Sequence, residues 1–211
     1  MTTGRRYLLK AGAGVLVAGL TTQSARADFD RYVLDPGRGA FAWFESRDGK
    51  RRTWTGILAC RAGGDGPDGT LKKPVVLLWT SSWNNRKSKL QRVAFGVADD
   101  GRCRVSAVSG LSTASVTGTI RVWDAVKGER STLTIDLEWN ENAGKRNLDF
   151  DETYSPDPDP LYTARFIARG EKRDAIASGE ILRGNRNLTP KRSKDAFIGD
   201  FDSARVLFDW P

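Results

Sequence analysis

The chain of 211 residues contains no histidine, and this absence narrows its chemistry more than any residue present. Neither a Ser-His-Asp nor a Cys-His arrangement can be assembled from it, nor can a zinc or iron site ligated by imidazole. Sulfur is also scarce: Cys60 and Cys103 are the two cysteines, and they do not form a C-x-x-C pair. No apolar run approaches the roughly 20 residues of a membrane span. A G-x-S-x-G elbow, an S-x-x-K motif and a phosphate-cradling glycine loop are all missing. Carboxylate chemistry, metal binding through oxygen ligands, and recognition without catalysis survive these exclusions.

What is present begins with Arg5-Arg6-Tyr7-Leu8-Leu9-Lys10, followed by a weakly apolar run from Ala11 to Leu20 that Gly12, Gly14 and Gly19 interrupt. The run is 10 residues long and gives way to Thr21-Thr22-Gln23-Ser24, so it is too short to cross a bilayer. Ala25-Arg26-Ala27 then places small residues at the two positions a signal peptidase reads. Residues 1–27 resemble a twin-arginine export signal, with Arg5 and Arg6 as its arginine pair. The resemblance implies cleavage before Asp28, a mature domain of residues 28–211 with no membrane span, and a periplasmic or extracellular destination.

Across the whole chain, 34 lysines and arginines stand against 26 acidic residues, a net charge of +8. Arg5, Arg6, Lys10 and Arg26 belong to the export segment, which holds no acid, so half of the excess leaves with it. The remainder is scattered, and nucleic acid is not an expected partner. Its densest clusters are Lys50-Arg51-Arg52, Arg86-Lys87-Ser88-Lys89 and Lys191-Arg192-Ser193-Lys194. Each is short and flanked by turn residues, which reads as a solvated loop, with an anion- or surface-binding patch as the alternative. In an oxidising compartment Cys60 and Cys103 are expected to pair, a link that adds about 4 kcal/mol if unstrained.

From Ala40 onward, short β-rich segments recur between turn signals, which predicts an all-β fold. Ser131 to Asn140 alternates most cleanly, with Leu133, Ile135, Leu137 and Trp139 on one face and Thr134, Asp136, Glu138 and Asn140 on the other. It should form a hairpin with the strand holding Val116, Ile120 and Val122, with Arg121 near Asp136. A second hairpin is expected about Gly170-Glu171-Lys172, and a third about Asp99-Asp100-Gly101. Two segments break the pattern: the glycine-rich stretch 62–69, with Asp65 and Asp68, and the acidic, proline-rich stretch 149–160.

Three groups of residues carry candidate chemistry. In Trp79-Thr80-Ser81-Ser82-Trp83-Asn84-Asn85-Arg86, Trp79 closes an apolar run and reads as core. Trp83 falls among polar residues instead, where an indole beside Asn84, Asn85 and Arg86 would stack on a sugar face or anchor a partner. Asp149, Asp151, Glu152, Asp157 and Asp159 supply carboxylates in a spacing that permits calcium, though nothing matches the EF-hand loop. Asp136, Glu138 and Glu180 could serve as acid and base on a glycosidic bond, provided the fold sets the required separation.

The expected molecule is thus a secreted, non-enzymatic antiparallel β-sandwich or β-barrel of about ten strands. Its expected role is to bind a ligand or surface partner, with a glycan or cell-envelope component as the partner chemistry. A carboxylate-dependent glycan hydrolase and a structural, envelope-associated protein are the alternatives.

Overall fold

Side chains alternating between apolar and polar build strands, since successive residues of an extended chain point to opposite faces. In the computed structural model, which describes residues 31–34, 36–61, 74–155 and 162–209, this pattern produces strands and no helix among the described residues. The strands are β1 (Arg31–Leu34), β2 (Gly37–Asp48), β3 (Arg51–Arg61), β4 (Pro74–Asn84), β5 (Lys89–Ala98) and β6 (Cys103–Ala107). After them come β7 (Thr113–Asp124), β8 (Glu129–Tyr154), β9 (Thr163–Arg183), β10 (Arg186–Asn187) and β11 (Asp195–Asp209). All pair antiparallel in one sheet. Its path β11-β2-β3-β4-β5-β7-β8-β9 closes on itself because β9 pairs β11, while β1, β6 and β10 attach to β11, β7 and β9. Residues 1–27, the glycine-rich stretch and Asp157 and Asp159 lie outside the described residues.

The ring is filled. Every strand in it turns apolar residues inward, from Ala42 and Ile57 through Leu78, Val116 and Ile135 to Ile198. Trp139 is fully buried there, its indole N–H donating to the Phe41 carbonyl at 2.8 Å.

A second core lies outside the ring. Beyond the register shift between Glu141 and Lys145, β8 and β9 continue as an arm that folds back over the outer face of β2 to β4. Leu148, Phe150, Phe166 and Phe197 there meet Phe41, Leu58, Leu77 and Trp79. Extra residues in one strand of a pair bend it, which is what lets one hairpin serve two layers. The central strands are therefore buried on both faces, with Leu77 and Leu78 both at 0 % exposure. That explains why β4 opens on the unbroken run Val75-Val76-Leu77-Leu78-Trp79 instead of alternating.

Several expectations are corrected. The chain does not turn at Gly170: β9 runs straight through it, and the hairpin forms between β8 and β9. Gly170 instead permits close approach, since a Cβ there would lie 2.1 Å from the Asp200 carbonyl oxygen at a φ of +141°. Residues 149–154 continue β8 as a strand, because Phe150 packs inward while Asp149 and Asp151 point out. The turn after Ala98 exists, yet β5 and β6 both pair with β7 and not with each other. Asp136 stands opposite Thr117 and Glu180, and Arg121 opposite Thr132. The disulfide is not formed. Cys60 and Cys103 are buried free thiols in different cores, Cys60 in the outer one and Cys103 within the ring. Burial pushes the Cys103 thiol up to about 11 and that of Cys60 higher still, which disfavours the thiolate at both.

Candidate functional site

Toward one end of the ring the inward-facing residues change character in step. Along β3 they run Ala59, Ile57, Thr55, Thr53, Arg51; along β4, Val76, Leu78, Thr80, Ser82; along β5, Ala94 then Arg92. Apolar side chains give way to hydroxyls, and hydroxyls to cations. The hydroxyl layer is ordered by its own hydrogen bonds, with Thr55 and Thr80 Oγ1 3.1 Å apart and Thr80 Oγ1 donating to the Trp54 carbonyl at 3.0 Å. Above it opens a cavity of about 380 Å³, a size at which small-molecule sites begin.

Guanidinium groups line the depth of this cavity and ammonium groups its edge. Arg92 is buried, Arg51, Arg183 and Arg186 are half-buried, and Lys87, Lys89 and Lys127 are exposed. Arg92, only 5 % exposed, is the anchor. Its Nε lies 2.7 Å from Asp124 Oδ2, and its Nη2 donates to Glu129 Oε1 at 3.3 Å. Its Nη1 is buried without a hydrogen-bond partner among the described residues. Burial pulls Arg92 below the ordinary arginine range; Asp124 opposes this, and the nearby Arg183 reinforces it. Asp124 is itself fully buried, and its Oδ1 accepts from the backbone N–H of Val126 at 3.2 Å and Lys127 at 3.3 Å. One carboxylate thereby fixes both the buried arginine and the β7–β8 turn. Arg186 donates to Thr53 Oγ1 at 3.2 Å. Arg51, Lys87, Lys89 and Arg183 make no ion pair among the described residues.

The residues singled out from sequence are distributed differently. Trp83 is half-buried at the end of β4, on the same side of the strand as Trp79 and so opposite to the ring interior. Asn84 shapes the β4–β5 turn, its Oδ1 accepting from the backbone N–H of Arg86 at 3.0 Å and Lys87 at 3.1 Å. Asn85 and Arg86 are exposed in that turn, which reaches the cavity through Lys87. Asp151 is held by both donors of Arg165 at 2.6 Å, Asp149 faces Arg169 at 3.6 Å, and Glu152 is exposed. Among the described residues no three carboxylates or thiols converge as metal ligands. Asp136 and Glu180 are direct cross-strand neighbours, with Glu138 beside them, on an exposed face and away from either cavity. A second space, between Trp43, Trp79, Tyr154 and Phe208, has room for about one water, about 30 Å³.

Arg92, Arg183 and Arg186 were not legible as a site, and Arg51, Lys87 and Lys89 read as loop charges. A signal existed in the alternation: Arg51 shares its face with Thr53, Thr55 and Ile57, and Arg92 with Ala94. Compared with protein-family models, curated proteins and solved structures, the chain shows no match.

Proposed function

We propose that this protein is an exported, non-enzymatic binding domain that takes an anionic ligand in the cationic end of its strand ring. The observation that carries the reading is a group of cations, Arg51, Arg183, Lys87 and Lys89, that line a cavity of about 380 Å³ and make no ion pair among the described residues. Such a group is stabilised by an incoming acceptor, and charge-assisted hydrogen bonds are about twice as strong as neutral ones. The two carboxylates near it, Asp124 and Glu129, are both engaged by Arg92, so neither is poised as a base. Cations and hydroxyls without a free base suit binding better than turnover.

The test is ligand-induced stabilisation. At constant ionic strength, multivalent anions should raise the melting temperature, and Arg183→Gln should diminish the rise; a ligand at 100 times its Kd stabilises by about 2.7 kcal/mol. An equal melting temperature in chloride, sulfate, phosphate and tripolyphosphate would remove the proposal. Export rests on residues 1–27 alone, and N-terminal sequencing of protein recovered outside the cytoplasm should begin at or near Asp28. An intact Met1 there would refute cleavage at that point, and absence of the protein outside the cytoplasm would refute export.

A further inference from the structure

We infer that the ligand is a compact molecule bearing at least two tetrahedral oxyanion groups, phosphate or sulfate, one seated among the inner arginines and another at the lysine edge. The inference rests on the anionic-ligand reading and deepens it.

Charge balance supplies the first step. The cavity is lined by seven cationic side chains, and the neighbouring Asp124 and Glu129 offset two, leaving five positive charges. A monoanion would leave most of that field unanswered, whereas a ligand with several negative charges answers it. Position supplies the second. The guanidiniums of Arg51, Arg92 and Arg183 come from three different strands, and those of Arg51 and Arg183 both bear electrostatically on Arg92. Donors converging from three directions fit the divergent oxygens of a tetrahedral group better than the two coplanar oxygens of a carboxylate. Lys87, Lys89 and Lys127 form a separate, exposed tier of mobile point charges, which suits a second group farther out. Depth supplies the third step. Below the hydroxyl layer the ring is filled by Ile57, Leu78 and Ala94, each at 0 % exposure, so the cavity is blind. A blind cavity takes a compact ligand or a chain end, not a polymer threaded through.

Calorimetric titration of the full chain, in metal-free buffer at fixed ionic strength, tests this with tripolyphosphate, orthophosphate, sulfate and citrate as probes. Tripolyphosphate should bind at least about 100-fold more tightly than orthophosphate or sulfate, and about tenfold more tightly than citrate. Arg183→Gln should weaken tripolyphosphate by about tenfold or more, and Lys89→Gln should weaken it more than it weakens orthophosphate. Lys191→Gln, exposed and outside the cavity, is the control, and melting curves confirm that each variant is folded. Orthophosphate matching tripolyphosphate would overturn the requirement for two groups, and citrate matching it would overturn the tetrahedral seat; both leave the anionic reading standing. Full-strength binding by Arg183→Gln would overturn the location. If no probe binds, the proposed function itself fails. Orthophosphate against sulfate decides which oxyanion the inner seat prefers.

Discussion

Arg92 is tolerable only because two carboxylates meet it. A buried guanidinium loses several kcal/mol of hydration, and the charge of Asp124, 2.7 Å away though not aligned for a hydrogen bond, offsets part of that loss. Breaking one half of such a pair is more damaging than replacing both. Arg92→Met should therefore destabilise the fold by about 3–5 kcal/mol, because it strands the Asp124 carboxylate at 0 % exposure. Adding Asp124→Asn should recover part of the loss, since an amide oxygen still accepts from the Val126 and Lys127 N–H groups and carries no charge. Urea denaturation of both single variants and the double variant measures the coupling, and strictly additive losses would show that the two residues do not interact. Nothing in the immediate sequence of Arg92, between Gln91 and Val93, separates it from a surface arginine. Its partner lies 32 positions away on β7.

Among the elements, β2 shows how an exposed strand end is tied to its neighbours. Glu45 lies 2.5 Å from Arg52 Nε on β3 and 3.1 Å from Lys194 Nζ just before β11, with its side chain 13 % exposed. The Arg52 hydrogen bond, opposed by desolvation and helped by Lys194, lowers its pKa from 4.5 to about 2. A carboxylate depressed in the folded state contributes stability above its unfolded pKa and loses it as the folded pKa is approached from above. Glu45→Gln should thus be less stable than the parent at pH 7, by about 1 kcal/mol after solvent screening. The gap should close between pH 4.5 and about 2, read from denaturation midpoints across that window. A gap independent of pH would show that Glu45 acts through packing. The arm of β8 was partly legible: Asp149, Phe150 and Asp151 alternate as a strand should, but the prolines at 156, 158 and 160 weighed toward a loop. Cross-strand pairing with Arg165 and Arg169, invisible without the register, decides the matter.

For the whole molecule, closure of the ring creates both the core and the cavity. β9 pairs β8 along nearly all its length and β11 along its first half, so one strand closes the ring and also carries the outer arm. Arg183, at the end of that strand, reaches the mouth formed by β3, β4 and β5 because the ring returns there. The two cores also explain the cysteines. Alternation puts Cys60 on the face of β3 shared with Leu58, and Cys103 enters the ring from β6, so the sheet itself stands between the thiols. An even cysteine count says nothing about which side of a sheet each residue occupies.

By itself the sequence determined the all-β class, the β7–β8 hairpin, the burial of Trp79 and the exclusion of imidazole chemistry, because each depends on composition or on a period of two within one segment. Alternation states which residues share a face. It does not state what that face meets. Whether Arg51 and Lys89 project into water or line a cavity depends on strands far apart in the chain returning beside them, and whether β4 is covered once or twice depends on an arm bent at residues 142–144. Those outcomes arise from long-range closure, and only the tertiary structure decided them.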